Sequence, residues 1–154
     1  MAEVLAKLTI ETPEEMHELG LRLAALFQAG DLILLTGPLG AGKTTLTRGI
    51  GEALGAIGNV SSPTFVLART HSWGEGRPAL VHVDAYRLSS AAELDDLDID
   101  FPNSITIVEW GKGLTDGITD DWLEIEIERD HTGESEIREL VLTGYGERWA
   151  GVKF

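Results

Sequence analysis

LILLTGPLGAGKTT, residues 32–45, joins three kinds of local sequence in immediate succession. Leu32 to Leu35 is too short and too evenly apolar for an amphipathic helix, so it predicts a buried central strand. A glycine-rich segment follows at once, and from Lys43 to Leu54 apolar residues recur at helical spacing until Gly55 closes the pattern. The stretch therefore predicts a strand, a tight loop and a helix, around which the rest of the chain must be arranged.

The loop of this unit, Gly37 to Thr44, satisfies the pattern G-x-x-x-x-G-K-[ST]. Glycines let successive backbone N–H groups turn inward as a nest for an anion, and the positive end of the following helix points at the same place. Lys43 would bridge the β- and γ-phosphates of a nucleotide, and the Thr44 hydroxyl would bind magnesium. A plain glycine turn is the alternative, whereas a dinucleotide loop is excluded because Leu39 stands where that fingerprint requires glycine. The residues predicted to bind the nucleotide through this loop are Gly37, Leu39, Gly40, Ala41, Gly42, Lys43, Thr44 and Thr45.

Two mostly apolar runs, residues 80–84 and 105–109, finish on the acids Asp84 and Glu109. Because a buried strand does not accommodate an unpaired charge, we expect both acids at the carboxyl edge of the sheet, where open α/β sheets bind ligands. Asp84 is predicted to hold the magnesium shell, and Glu109 to bind magnesium or its water and to orient the attacking water. The division of roles stays open, and the alternatives are a helix cap or an Arg87 ion pair for Asp84 and a solvated strand end for Glu109. The predicted catalytic residues are Lys43, Asp84 and Glu109.

Thr64 and His82 are additional candidates near these strand ends. Thr64 lies between the loop helix and the next strand, where a switch segment can offer a hydroxyl to the metal. Ordinary turn chemistry explains its Ser-Pro-Thr context equally well. His82 shares strand parity with Asp84 and could tune it, but a hydrogen-bonded structural histidine is the favoured interpretation.

The remaining sequence predicts an α/β protein of the P-loop NTPase type, with a three-layer fold and a mixed, partly antiparallel central sheet. Its length of 154 residues suits one domain spanning 1–154. A strand at 4–10 precedes a helix that Thr12 caps, with Pro13 at its first position, and Gly30 is predicted to end this helix. Further strands are predicted at 64–70, 79–85, 104–108, 122–128 and 137–142, with a turn at 73–78 and a short helix at 89–93.

The composition limits the kinds of partner. Twenty-six acidic against twelve basic residues give a net charge of −14, which disfavours stand-alone binding to nucleic acid. The acidic surplus could dock on a basic protein, although a charged surface that keeps the protein soluble is the favoured interpretation. No cysteine, export signal or membrane-length apolar run is present, which is compatible with the cytoplasm.

The missing base-reading motifs favour ATP. A guanine-specific switch GTPase would have D-x-x-G at its metal aspartate and N-K-x-D further along the chain. Residues 84–87 read DAYR and fail the first pattern, and no Asn-Lys pair occurs in the chain. Two other classes remain open beside an ATPase. A small-molecule kinase would use the same loop with an acceptor pocket and an arginine-bearing lid, and an interaction module would bind the nucleotide without catalysis.

Five motifs follow one another along the chain: residues 37–45 (GPLGAGKTT), 47–49 (TRG), 62–65 (SPTF), 82–88 (HVDAYRL) and 108–110 (VEW). Together they resemble the bacterial TsaE family of small ATPases that act in tRNA threonylcarbamoyladenosine biosynthesis. The resemblance covers about residues 10 to 112 at motif level, and the order and spacing of the motifs are more specific than any motif beyond the loop.

The resemblance implies an accessory ATPase that joins the proteins TsaB and TsaD, whose complex modifies the adenosine next to the anticodon, so that tRNA is met only through the complex. It implies that Thr44 and Glu109 serve magnesium, that Asp84 supports hydrolysis and that Thr12 lies near the adenine. This chain departs from the family at Pro38, usually Asp, and at Lys112, commonly acidic. Pro38 removes one backbone donor from the loop.

Overall fold

The computed structural model describes residues 2–37, 42–54, 68–71, 79–84, 101–109, 120–129 and 137–152. The predictions for Pro38 to Ala41, Thr64, Lys112, the turn at 73–78 and the helix at 89–93 lie outside these residues. None of the helices in the described ranges is long and apolar enough to cross a membrane.

Seven strands and two α-helices make up the described fold. They are β1 (Ala2–Ile10), α1 (Pro13–Ala24), β2 (Leu32–Thr36), α2 (Lys43–Leu54), β3 (Ala68–His71), β4 (Ala79–Asp84), β5 (Ser104–Glu109), β6 (Trp122–Arg129) and β7 (Arg138–Tyr145). Short 3-10 turns span Phe101–Asn103 and Glu147–Trp149.

The strands form one sheet in the order β1-β7-β6-β2-β5-β4-β3. Its centre, β6-β2-β5-β4, is parallel, whereas β1 and β7 on one side and β3 on the other pair antiparallel with their neighbours. The mixed, partly antiparallel sheet is therefore confirmed. Pairing of Ala2 with Tyr145 extends β1 and β7 beyond the bounds predicted from sequence.

Strand β2 lies in the middle of this sheet and is buried on both faces, as its apolar sequence predicted. Alternation places Ile33 and Leu35 on one face and Leu32 and Leu34 on the other. The first face meets the helices, because its side chains share one core cluster with Met16, Leu19, Leu23, Leu46 and Ile50. The described helices thus form one layer on the sheet, and the third layer stays a prediction.

Helix α1 begins where the sequence predicted and ends earlier. The Thr12 hydroxyl accepts a hydrogen bond from the Glu15 N–H at 3.1 Å, and Pro13 takes the first helical position. The predicted end at Gly30 is wrong, because the helix ends at Ala24. Beyond that residue the chain tightens into i→i+3 bonds, such as Phe27 N–H to the Ala24 carbonyl at 3.3 Å, that turn it toward β2.

Arg148 and Trp149 stabilise the segment that connects α1 to β2. The Arg148 guanidinium donates from Nε and Nη2 to both oxygens of Asp31 at 3.0 Å, and Nη2 also donates to the Leu26 carbonyl at 2.7 Å. Trp149 is buried and meets Phe27 edge to face, with ring centroids 6.2 Å apart. The last described turn therefore holds the segment between α1 and β2 at the amino edge of the sheet.

Candidate functional site

The strand register brings the two predicted acids to the sheet edge at which the predicted phosphate loop begins. Glu109 pairs with Leu35 on one side and with Asp84 on the other, in a parallel arrangement. Gly37 follows Leu35 by two residues and begins the loop. The carboxyl ends of β2, β4 and β5 therefore meet at one edge of the sheet, as the sequence predicted.

Lys43 is the first residue of α2 and is buried, with 6% of its surface exposed. Its Nζ donates a hydrogen bond of 2.6 Å to the carbonyl oxygen of Gly37, so the side chain spans from the helix start back to the loop start. The Thr47 hydroxyl donates to the Lys43 carbonyl at 2.8 Å, within the first turn. The ammonium group is thus held beside Gly37, the first residue of the predicted loop.

Gly42, the last residue before α2, has a φ of +108°, a backbone conformation that L side chains rarely adopt. A Cβ at this position would stand 3.2 Å from Cε of Met16, a residue in the first turns of α1. The beginning of α1 therefore lies beside the end of the phosphate loop. Thr12 caps that same end of α1, and its predicted place near an adenine stays a prediction.

Glu109 is buried, with 4% of its surface exposed, so the alternative of a solvated strand end is wrong. His82 Nε2 and Glu109 Oε2 are 2.5 Å apart, and the His82 ring is fully buried. His82 pairs in register with Ile107, so the imidazole reaches the acid diagonally from one step deeper in the sheet. The hydrogen-bonded histidine is confirmed, and its partner is Glu109.

Several predicted residues are placed only in part. The backbones of Thr44 and Asp84 belong to α2 and β4, while their side chains lie outside what the structure describes. Thr45 lies half-buried in the first turn of α2. Leu39, Gly40 and Ala41 lie outside the described residues.

The described site combines one buried cation, Lys43, with one buried anion, Glu109, at the same edge of the sheet. Carboxylate and hydroxyl oxygens are the ligands that Mg²⁺ prefers, so the residue types at this edge fit that ion. Within the described ranges, no three His, Asp or Glu side chains come together as a metal cluster. The contact between His82 and Glu109 could not be located from sequence, because parity along one strand does not give the register between two.

The matching family and two curated relatives all carry the name TsaE. Residues 10–138 match the family described as Threonylcarbamoyl adenosine biosynthesis protein TsaE. A Streptomyces coelicolor protein named tRNA threonylcarbamoyladenosine biosynthesis protein TsaE is 56% identical over 141 residues, covering 88% of this chain and 94% of that protein. The Bacillus subtilis protein of the same name is 36% identical over 138 residues, with coverage of 89% and 84%. The crystal structure of Bacillus subtilis YdiB superposes with a TM-score of 0.75 at 30% identity, covering 97% of this chain and 90% of that chain.

Proposed function

This chain belongs to the TsaE family of threonylcarbamoyl adenosine biosynthesis proteins, and from that membership we propose that it binds and hydrolyses ATP with magnesium during the modification of tRNA. In this proposal it acts as an accessory protein within a complex with TsaB and TsaD, and it meets tRNA only through that complex. The ordered motifs in the sequence had indicated the family, and the comparisons confirm that membership.

The bond between Lys43 Nζ and the Gly37 carbonyl is the observation that carries the nucleotide proposal. It holds a buried ammonium group between a parallel strand and the start of a helix, and such an arrangement binds phosphate in P-loop proteins. The positive φ of Gly42 supports the same interpretation, because it turns the chain into α2 without a side chain in the way. We therefore assign the phosphates to the segment from Gly37 to Thr45.

Hydrolysis needs an oxygen group close to the reacting phosphate. The pairing of Glu109 with Leu35, two residues before Gly37, supports Glu109 for this role. Thr44, Asp84 and Glu109 supply the oxygen donors that would hold magnesium or its water. Bound magnesium would neutralise charge on the phosphate oxygens. The Glu109 carboxylate would orient the attacking water and accept its proton, while the Lys43 ammonium would stabilise negative charge on the transferred group.

ATP is preferred over GTP because Asp84 does not begin a D-x-x-G turn, Arg87 standing where the glycine would be, and because the chain has no N-K-x-D motif. The net charge of −14 supports a protein partner over direct contact with RNA, because a polyanion would be repelled by most of the surface. TsaB and TsaD are the partners that the family resemblance implies.

The proposal is tested by titrating the protein with ATP, ADP and GTP in magnesium buffer by calorimetry, and by measuring phosphate release alone and with TsaB and TsaD. We expect binding of the adenine nucleotides, slow hydrolysis alone and a changed rate with the partners. A phosphorylated small-molecule product would support a kinase instead. Binding without phosphate release, alone and in the complex, would support an interaction module.

A further inference from the structure

His82 contacts the described site from the interior of the sheet and belongs neither to the phosphate loop nor to the expected metal ligands. Its side chain is fully buried in β4, a parallel strand inside the sheet. Its Nε2 lies 2.5 Å from Oε2 of Glu109 on the neighbouring strand β5. The ring therefore approaches the carboxylate from the protein interior, opposite to the edge at which the loop lies.

The described hydrogen bond of this ring goes to Glu109. Among the residues that the structure describes, His82 Nδ1 is buried without a hydrogen-bond partner. A buried polar ring costs free energy unless it is hydrogen-bonded, and the bond from Nε2 to Glu109 offsets that cost at this position.

That bond has a direct consequence for Glu109. A glutamate side chain has several rotatable bonds, and a water-orienting carboxylate must keep one direction to be effective. Because the imidazole Nε2 bonds to Oε2, it restricts rotation of the Glu109 carboxylate from the interior of the sheet. We propose that His82 is a positioning residue that fixes Glu109 for hydrolysis, an inference that rests on the proposed ATPase function.

The proposal predicts a change in the catalytic rate more than in nucleotide binding, because the described hydrogen bond of His82 goes to Glu109 and that of Lys43 goes to Gly37. Removal of a group that orients a ligand or catalytic side chain from behind typically costs roughly 10- to 100-fold. We therefore expect kcat for ATP hydrolysis to fall by roughly that factor, while KM and the calorimetric Kd for ATP stay within about twofold of wild type.

Two amide substitutions separate positioning from packing. In His82→Gln, the amide nitrogen can stand where the imidazole Nε2 stood and can donate to Glu109. In His82→Asn, the amide is shorter and reaches only the place of Nδ1. We expect His82→Gln to retain most of the wild-type kcat, and we expect the kcat of His82→Asn to fall by roughly 10- to 100-fold. Val81→Ala is the matched control, because it truncates the next buried residue on the same strand but the opposite face.

Double substitutions with Glu109→Gln complete the experiment, with folding followed by circular dichroism and rates measured below the melting temperature of every variant. The proposal requires that His82→Asn has little additional effect on kcat once Glu109 is replaced, because it acts through that residue. If His82→Asn does not fold, His82→Phe, which fills the space without a donor, takes its place.

A kcat within twofold of wild type for both His82→Gln and His82→Asn would overturn the positioning role. An equal fall in the Glu109→Gln background would overturn it as well, since it would show that His82 acts independently of the acid. Absence of hydrolysis by the wild-type protein, alone and with TsaB and TsaD, would instead reject the proposed function and this inference with it.

Discussion

Gly20 of α1 and Gly49 of α2 lie against each other where the two helices cross. A Cβ placed on Gly20 would stand 2.9 Å from Cα of Gly49 and 2.6 Å from the carbonyl oxygen of Leu46, closer than side-chain atoms normally approach backbone. The crossing therefore depends on the absence of side chains at both positions. Because α2 begins at Lys43, the packing of this helix pair also determines where the loop lysine starts.

Gly49→Ala should destabilise the fold, since the new Cβ would stand 2.4 Å from the carbonyl oxygen of His17. Alanine gains up to about 1 kcal/mol in helix propensity, but overpacking against fixed backbone costs more. We expect a net loss of about 1–3 kcal/mol in the free energy of unfolding by urea denaturation. Glu18→Ala, at an exposed position of α1, is the control and should change the free energy of unfolding by less than about 0.5 kcal/mol. Equal stabilities of Gly49→Ala and wild type would show that the two helices can shift enough to accommodate the added methyl group.

Local patterns in the sequence were sufficient to predict the central strand and the start of α2. Thr12 and Pro13 likewise predicted the start of α1, because a cap bonds within its own first turn. The two acid-bearing strand ends were also predicted to share one edge, since parallel strands that precede a common site must end together. These features depend on residues a few positions apart or on the topology of parallel sheets.

Contacts between distant parts of the chain could not be predicted. The bond between His82 and Glu109 requires the register of two strands, and Arg148 meets Asp31 across 117 positions. The end of α1 was missed for a related reason. Phe27 continues the apolar spacing of the helix, although it is buried through a tighter turn that packs it against Trp149. Apolar periodicity indicates which residues are buried, but it cannot distinguish a continuing α-helix from a tighter i→i+3 turn.

Lys43→Ala should abolish measurable ATP binding or turnover, because it removes the ammonium group held at the loop mouth. A hydrogen bond to a charged group contributes roughly 1.5–3 kcal/mol, so the Kd for ATP should rise by at least roughly tenfold. Calorimetry with MgATP measures the change. Lys7→Ala removes the same charge from an exposed position of β1 and should leave the Kd within about twofold. Unchanged affinity in Lys43→Ala would reject the assignment of the loop.

Glu109→Gln should affect hydrolysis more than binding. The amide keeps the size of the side chain and can still bond to His82, but it cannot accept a proton from water. We expect kcat to fall by roughly 100-fold or more while the Kd for ATP changes by less than about threefold. Single-turnover phosphate release is the measurement, and Glu139→Gln at an exposed position of β7 is the control. If Glu109→Gln keeps the wild-type rate of phosphate release, the catalytic role would be assigned to Asp84 instead.

Arg148→Ala should lower the stability of the protein without changing kcat for ATP hydrolysis. The substitution leaves the buried Asp31 carboxylate, whose side chain is 3% exposed, without its guanidinium partner. We expect the free energy of unfolding, measured by urea denaturation, to fall by about 2–4 kcal/mol. This loss is smaller than that expected for a fully buried ion pair, because 22% of the Arg148 side chain is exposed. Arg148→Lys should lie between alanine and wild type, since a lysine cannot bond to both carboxylate oxygens in the same fork.

The position of this ion pair explains why catalysis should be spared. Asp31 immediately precedes β2, whereas the phosphate loop follows the other end of that strand. At a temperature where all variants are folded, kcat for Arg148→Ala should therefore stay within about twofold of wild type. Arg22→Ala, at an exposed position of α1, controls for the loss of one arginine and should leave both stability and rate unchanged. A large fall in kcat without a loss of stability would mean that the carboxyl-terminal turn contributes to the reaction itself.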